Sequence, residues 1–171
     1  MVVIALLVKF TSPGPVFFRQ KRYGRHLQFF QILKFRSMYT SAPKDVPTHL
    51  LENPAALITP IGRFLRRSSL DELPQIFNIL KGDLTLIGPR PALWNQDDLI
   101  AEREKYKAND IPVGLTGLAQ ISGRDELPIP QKAALDGEYA HRMGLWLDIK
   151  ILFATLFSVL RGSGVQEGTK K

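Results

Sequence analysis

Hydrophobic residues are spaced in two characteristic ways along this 171-residue chain. Residues 145–161 are apolar over about half of a helical wheel, and the apolar residues of 73–80 also recur at helical spacing. Two stretches on either side of Gly24, residues 16–23 and 27–35, are rich in β-branched and aromatic residues, which predicts a hairpin. A hairpin combined with helices predicts a compact single-domain α/β (α+β) fold.

Shorter signals predict the remaining elements. Thr59 followed by Pro60 is an N-cap residue ahead of proline at the first helical position, so a short helix should follow with Ile61, Phe64 and Leu65 facing inward. Residues 97–106 and 135–142 predict helices, the first of them a charged surface helix without chemistry. Residues 41–55, with three prolines and few apolar residues, predict a mobile loop.

The two ends of the chain differ from the middle. Residues 1–10 are apolar apart from Lys9 and have about half the length of a bilayer span, so we interpret them as a buried or interfacial segment or the remnant of a longer one. The apolar helix at 145–161 is either a core helix, the commoner case, or an amphipathic helix lying in a membrane interface, which we expect here. Residues 162–171 predict a disordered tail, which leaves 11–161 as the functional domain.

The charge narrows the range of partners. A formal net charge of +7 favours nucleotide phosphates, an anionic membrane or nucleic acid. We do not expect nucleic acid, because the cations cluster at loops rather than along a recognition helix or an aromatic sheet. Without cysteine the chain has no disulfide or thiolate metal site, and its three histidines are too scattered for a zinc site.

The candidate chemistry centres on the adjacent carboxylates Asp71 and Glu72. Ser69 followed three residues later by Glu72 fits a capping box, which places both acids in the first turn of a helix. The free N–H groups and the positive end of the helix dipole should keep Asp71 ionised and let a phosphate approach. Such a carboxylate serves as a metal ligand or as a nucleophile, although ordinary helix capping is the simpler alternative.

Cations surround this pair along the sequence. Arg63, Arg66 and Arg67 fall at i, i+3 and i+4, just ahead of the acids, and would repel one another unless an anion met them. Lys34 and Arg36 lie together at the end of a predicted strand.

Arg90 stands between two prolines that stiffen its backbone, so it would lose little entropy on binding a phosphate. A proline-rich turn with an exposed arginine is the alternative.

Asp125–Pro128 repeats the four residues of Asp71–Pro74. The second copy lacks the serine cap and runs into Ile129-Pro130, which should interrupt helix propagation. We therefore expect the chemistry at the first copy.

Five motifs taken together resemble the bacterial sugar transferases, the small monotopic polyprenol-phosphate phosphoglycosyl transferases. The similarity extends over about residues 2–161. The motifs are Ser12–Gln20, Lys34–Met38, Ser69–Gln75, Gly88–Pro91 and Gly114–Gln120 with Gly123-Arg124.

The resemblance implies a magnesium-dependent enzyme on the cytoplasmic face of the bacterial inner membrane. It would transfer a sugar 1-phosphate from a UDP-sugar to undecaprenyl phosphate, release UMP, and so begin the assembly of a surface polysaccharide or glycoprotein. Asp71 matches the nucleophile that forms a phosphosugar-aspartyl intermediate, and Glu72 assists, with Mg²⁺ held by Asp71 and Glu72. Residues 1–10 match the second half of a re-entrant membrane helix. The implied substrate-binding residues are Lys34, Arg36, Arg63, Arg66, Arg67, Arg90, Gln120, Arg124 and Asp136.

A second hypothesis is a binding protein derived from such an enzyme but without turnover. It predicts that a UDP-sugar binds without release of UMP, and that Asp71→Asn changes nothing.

Overall fold

The computed structural model of this protein describes residues 1–46, 51, 53–123 and 127–161, with side chains to residue 159. The helices are α1 Val2–Thr11, α2 Pro54–Leu57, α3 Pro60–Arg67, α4 Ile76–Lys81, α5 Asp97–Glu104, α6 Leu118–Ser122, α7 Ile129–Arg142 and α8 Leu145–Arg161. The strands are β1 Phe17–Tyr23, β2 Phe29–Phe35, β3 Thr85–Ile87 and β4 Gly114–Thr116, and a 3₁₀ helix covers Leu70–Gln75. The mixed α/β fold agrees with the prediction.

The strands form two small sheets. The predicted hairpin is confirmed, because β1 and β2 pair antiparallel with Phe17 opposite Phe35. β3 and β4 pair in parallel, with Thr85 opposite Gly114. The second pair requires close backbone approach, since a Cβ atom on Gly114 would lie 2.1 Å from the backbone nitrogen of Gly88. The glycines at 88 and 114 are therefore explained by this contact.

Two clusters of buried apolar side chains form the core. In one of them Phe30 and Ile32 of the hairpin pack with Leu84 and Val113, at the start of the parallel pair. In the other, Phe35 packs with Val8 of α1 and Leu65 of α3. Strand β2 contributes to both clusters, so it is the element around which the remaining chain is arranged.

The short helix α3 begins as predicted, because the Thr59 hydroxyl accepts a hydrogen bond of 3.0 Å from the Gly62 N–H group. Its predicted inward face is only partly correct. Leu65 is buried, but Phe64 is 59% exposed, since the helix has eight residues and only a narrow stripe of it reaches the core.

Four apolar residues in and just before α4 are exposed rather than buried. Leu73, Ile76, Phe77 and Leu80 keep between 42% and 78% of their surface accessible. Two α4 side chains face inward, namely Ile79, which is partly buried against the cluster around Phe30, and Asn78, which is buried.

Other elements differ from expectation at their ends. Helix α7 begins at Ile129 rather than 135, because Pro130 occupies its first turn, where the missing N–H group costs nothing. The expected loop at 41–55 ends at α2, which begins at Pro54; residues 47–50 and 52 lie outside the described part.

Over residues 145–159 of helix α8, whose side chains are described, Ile151 is fully buried, whereas Phe153, Leu156 and Phe157 are more than half exposed. This exposure disagrees with the core alternative for the helix, and the interfacial alternative stays a prediction. In α1, Val8 is buried and Val2, Val3 and Phe10 are at least 70% exposed. Within the described ranges, none of the helices has both the length and the hydropathy needed to cross a bilayer.

Candidate active site

The acidic pair is held against strand β2 by the side chain of Asn78. The Leu33 N–H group donates a 3.0 Å hydrogen bond to Asn78 Oδ1, and Asn78 Nδ2 donates one of 2.8 Å to the Gln31 carbonyl. This amide joins the start of α4 to the strand, so the 3₁₀ helix immediately before α4 lies beside Lys34. Asp71 and Glu72 are consequently fixed next to the cation at the end of β2.

Glu72 lies between two cations. Its Oε1 atom is 2.6 Å from Lys34 Nζ and 3.3 Å from an Arg90 guanidinium nitrogen. Burial alone would raise the pKa of the Glu72 carboxyl, but Lys34 and Arg90 outweigh burial and hold the pKa at about 2. Burial lowers the pKa of Lys34, and Glu72 opposes that shift. Glu72 is therefore ionised at any physiological pH, and its Oε1 atom holds these two side chains.

Asp71 is in a different environment although it is the next residue. It is 7% exposed, and no described residue donates a hydrogen bond to its carboxylate. Burial raises the pKa of Asp71 to about 6, and Glu72 adds to the shift, while Lys34, Arg66 and Arg90 oppose it. The direction is opposite to the expectation from a helix N-terminus, because burial outweighs the neighbouring cations. At pH 7 about nine-tenths of the carboxyl groups are still ionised.

The expected capping box is absent. Ser69 has a left-handed backbone, with φ of 55°, and makes no side-chain capping bond. The Glu72 N–H group donates to the Ser69 carbonyl, and the Glu72 carboxylate turns to Lys34 and Arg90. Two cations compete for this carboxylate more strongly than one backbone N–H group does.

Of the three clustered arginines, the structure brings one to the acids. Arg66 lines the same cavity as Asp71 and favours its ionised form, and the Arg66 Nε atom is buried without a hydrogen-bond partner among the described residues. Arg63 and Arg67 are exposed and do not contribute to the cavity wall. On a helix, Arg66 lies about 100° from Arg67 and about 60° from Arg63, so one side chain can face the cavity while the other two face solvent.

Arg36 has a structural role in the fold. Its Nε atom donates to the Pro15 carbonyl at 2.7 Å, its Nη1 atom to Pro13 at 2.6 Å, and its Nη2 atom to Ser12 at 2.8 Å and Val8 at 3.3 Å. Four backbone carbonyls thus occupy the guanidinium that the sequence suggested for substrate. Arg36 fixes the turn between α1 and β1, and although it borders the cavity four of its five N–H donors are already used.

Two further predicted residues, Gln120 and Asp136, are buried. Gln120 is 8% exposed, borders the cavity, and has no hydrogen-bond partner for either amide atom among the described residues. Such an amide is available to a ligand. Asp136 is 1% exposed, and its Oδ2 atom lies 2.6 Å from an Arg103 guanidinium nitrogen. Arg124, also predicted to bind substrate, lies outside the described residues, as do Asp125 and Glu126 of the second acidic copy.

Sequence reasoning missed Arg103, which belongs to the helix predicted to be charged surface without chemistry. Arg103 is 4% exposed. The available signal was its spacing of four residues from Leu99, the other buried residue of α5, which places both side chains on one face of the helix.

The acidic pair and the cations around it line a cavity of about 1140 Å³. One part of its wall is charged and holds Asp71, Glu72, Lys34, Arg66 and Arg90. Another part of the wall is apolar and includes four side chains that are 42% to 52% exposed. They are Leu73, Ile76, Leu86 and Leu156. The site therefore offers cations for phosphate groups beside a hydrophobic surface that reaches the outside of the molecule.

The donor set suits Mg²⁺ better than zinc. No cluster of three or more acidic or histidine side chains with metal-binding geometry occurs in the part of the chain that the structure describes. Mg²⁺ typically binds one or two protein carboxylates together with substrate phosphates. Asp71 fits this role best, because its carboxylate accepts no hydrogen bond from a described residue, whereas Glu72 is already shared by two cations.

Comparison with known proteins reveals close similarity over almost the whole chain. Residues 1–162 match the family model described as bacterial sugar transferase. The undecaprenyl-phosphate glucose phosphotransferase of Komagataeibacter xylinus is 40% identical over 91% of this chain and 31% of the relative. The UDP-glucose:undecaprenyl-phosphate glucose-1-phosphate transferase of Escherichia coli (strain K12) is 41% identical over 90% of this chain and 34% of the relative.

A shorter relative, the uncharacterized sugar transferase EpsL of Bacillus subtilis (strain 168), is 40% identical over 94% of this chain and 78% of its own length. The chain thus spans about a third of the first two relatives and most of the third.

Proposed function

This chain belongs to the bacterial sugar transferase family, and from that membership we propose that it transfers a sugar 1-phosphate from a UDP-sugar to undecaprenyl phosphate, releasing UMP. The observation that carries the proposal is the cavity in which a carboxylate pair, three cations and an exposed apolar wall meet. Both substrates carry phosphates, and the acceptor also carries a long hydrocarbon chain. A product sugar linked to a lipid diphosphate would begin the assembly of a bacterial glycan.

In the proposed first step, an Asp71 carboxylate oxygen attacks the β-phosphorus of the UDP-sugar. A bond forms between this oxygen and phosphorus, the bond from phosphorus to the bridging oxygen breaks, and UMP departs with the bonding electrons. The product is a phosphosugar-aspartyl intermediate. Asp71 suits this role better than Glu72, because its carboxylate is not held by a described hydrogen-bond donor and its raised pKa makes it the more basic of the two.

In the second step, a phosphate oxygen of undecaprenyl phosphate attacks the same phosphorus and Asp71 leaves as the free carboxylate. A covalent intermediate allows one site to serve two bulky phosphate substrates in turn, since UMP departs before the acceptor reacts. Fixed cations lower the barrier of both steps, because charge builds on the phosphoryl oxygens and on the leaving oxygen. Lys34, Arg66 and Arg90 are the cations in position to do so.

Asp71 and Glu72 are the residues that would hold Mg²⁺. When bound there, the ion supplies positive charge that neutralises phosphate oxygens. Glu72 also keeps Lys34 and Arg90 in place, so the role proposed for it is the arrangement of the cations around the reacting phosphates.

We further propose that the protein lies on the cytoplasmic leaflet of the inner membrane. Large apolar side chains that are at least half exposed occur on α1, α4 and α8, among them Val2, Val3, Leu6, Phe10, Ile76, Phe77, Leu80, Phe153, Leu156 and Phe157. The cavity itself is bordered by Ile76 and Leu156. Burial of these residues in the interface would allow the acceptor's phosphate to reach Asp71 while its hydrocarbon chain stayed among apolar groups.

Vesicle flotation tests this location. The chain should float with vesicles that contain anionic phospholipid, and Phe153→Asp/Phe157→Asp should reduce the bound fraction, whereas Phe153→Leu/Phe157→Leu, which keeps an apolar side chain at both positions, should change it little. Equal flotation of the double aspartate variant would exclude α8 from the interface.

The transfer itself is tested with the purified chain, Mg²⁺, undecaprenyl phosphate and a panel of UDP-sugars. We expect UMP and a sugar-diphospholipid to form in equal amounts with at least one donor, and Asp71→Ala to abolish both while Asp125→Ala loses far less. Binding of a UDP-sugar without UMP release would favour the non-catalytic alternative. Equal losses in the two variants would refute the assignment of Asp71 over Asp125.

A further inference from the structure

Four consecutive backbone carbonyls around Arg90 each accept a hydrogen bond from a different part of the chain. The Pro89 carbonyl accepts from the Gly114 N–H group at 2.8 Å, and the Ala92 carbonyl accepts from the Tyr23 N–H group at 3.0 Å. The two carbonyls between them are bound by arginine side chains. Because Pro89 and Pro91 have no N–H group, this segment has few backbone donors of its own, and its carbonyls provide the anchorage.

One of the two arginines precedes Arg90 in the chain and the other follows it. Arg103 Nη2, from α5, donates to the Arg90 carbonyl at 3.0 Å. Arg22 Nη1, from β1, donates to the Pro91 carbonyl at 2.9 Å, while the Nε and Nη2 atoms of Arg22 bind Gln20. The peptide groups on both sides of Arg90 are thereby fixed, and the Arg90 side chain extends to Glu72 in the cavity.

Arg103 forms a buried ion pair, which the stability of the fold alone does not require. It is 4% exposed, and its charge is balanced by Asp136, which is 1% exposed and accepts from both Nε, at 2.8 Å, and Nη2. Burying two charges is costly, and an apolar pair of similar volume usually serves stability as well or better. The feature that an apolar pair could not reproduce is the bond from Arg103 to the Arg90 carbonyl.

We propose that Arg103, with Asp136 as its counter-ion, is a positioning residue that fixes the backbone of Arg90 so that its guanidinium meets Glu72 and the reacting phosphates. The proposal rests on the transfer reaction proposed above for its kinetic consequence. It also gives Asp136 a role different from substrate contact, since the Asp136 carboxylate acts through Arg103. A displacement of Arg90 by as little as about 1 Å would be enough to impair phosphate stabilisation.

The first test measures whether the segment is held, and it needs no activity. Arg103→Met/Asp136→Leu removes both buried charges together and so should keep the fold. The N–H groups of Gly114 and Tyr23 donate to the Pro89 and Ala92 carbonyls at the two ends of this segment, so their hydrogen–deuterium exchange should become about tenfold faster or more, while the amides of the hairpin strand 29–35 exchange as in the wild type. The control is Arg142→Met/Glu138→Leu, which removes an exposed ion pair of α7 and should change neither. Unchanged exchange at both Gly114 and Tyr23 would overturn the proposal.

The second test is a double-mutant cycle with Arg90→Ala, read as kcat/KM for transfer. In the Arg90 background, Arg103→Met/Asp136→Leu should lower kcat/KM about tenfold or more; in the Arg90→Ala background it should lower it less than about twofold. An equal loss in both backgrounds would show that Arg103 does not act through Arg90. Absence of turnover by the wild type would instead refute the proposed function, and the exchange result would still decide whether Arg103 holds the segment.

Discussion

Lys34 Nζ lies 2.6 Å from Glu72 Oε1, although the two residues are 38 positions apart in the chain. The Arg90 guanidinium reaches the same oxygen at 3.3 Å. This shared carboxylate separates the functions of two adjacent acids, because Glu72 neutralises the cations and Asp71, which accepts no hydrogen bond from a described residue, stays available. The separation leads to different expectations for each acid.

Replacement of Glu72 by glutamine should destabilise the protein. The change keeps the shape but leaves Lys34 and Arg90 without their carboxylate, at a cost of about 2 kcal/mol in the free energy of unfolding. Urea denaturation of wild type and variant measures this difference. Glu138→Gln is the matched control, because its partner Arg142 is mostly exposed, and it should cost less than about 0.5 kcal/mol. Equal losses in the two variants would show that the Lys34–Glu72–Arg90 contacts add no stability.

Replacement of Asp71 by asparagine should have the opposite effect on stability. The folded-state pKa of about 6 exceeds the value of 3.8 for a free carboxyl, so the fold loses stability as the pH rises from about 4 to 6 and carries the full cost above 6, a cost that the Asp71→Asn variant would avoid. At pH 7 we expect the variant to be more stable by on the order of 1–3 kcal/mol. The gain should shrink as the pH falls from 6 to below 4, where the wild-type carboxyl is protonated in both states. A stability difference that does not change with pH would contradict this explanation.

The same pKa predicts the pH dependence of transfer. A carboxylate nucleophile must be ionised, so kcat/KM should fall about tenfold for each pH unit below 6 and level off above about 7. Measurement from pH 4.5 to 8 at constant ionic strength locates the midpoint. Glu72→Gln removes a like charge that raises the pKa of Asp71, so in that variant the midpoint should move to lower pH. A midpoint near 4 in the wild type would contradict the burial of the nucleophile.

The Gln120 side chain should lower the stability of the free protein and strengthen substrate binding. Its amide atoms have no hydrogen-bond partner among the described residues although the residue is 8% exposed, which is a cost that the substrate complex could remove. Gln120→Met keeps the volume and should raise the melting temperature by a few degrees while raising KM about tenfold. Thermal denaturation and transfer kinetics on the same preparation test both effects. An unchanged KM would assign Gln120 to the fold alone.

The sequence predicted the positions of helices and strands better than it predicted which of their side chains are exposed. The hairpin, the Thr59 cap and α8 follow from local patterns, because alternation, capping chemistry and helical spacing are encoded within a few residues. The exposure of Phe64 and of the apolar residues near α4 could not be inferred this way. An apolar stripe has the same spacing whether it meets a core or a membrane, and only the tertiary structure decides between them.

At the candidate site, too, local sequence predicted the residues but not their surroundings. The motif at 69–75 identified Asp71 and Glu72, but their different environments depend on Lys34 and Arg90, which are distant in sequence. For Arg36 and Arg103, local sequence did not predict the role either. An arginine that binds backbone carbonyls has no local signature, so Arg36 was expected at substrate and Arg103 was not expected to have any role.

The most direct test of the central claim is intact-protein mass spectrometry. The purified chain is incubated with Mg²⁺ and a panel of UDP-sugars, without polyprenol phosphate, so that an intermediate can accumulate. We predict a mass gain of one phosphosugar in the wild type and in Asp125→Asn, and no gain in Asp71→Asn; the sugar that gives the gain identifies the preferred donor. An adduct that persists in Asp71→Asn, or no adduct with any donor, would contradict the assignment of Asp71 as the nucleophile.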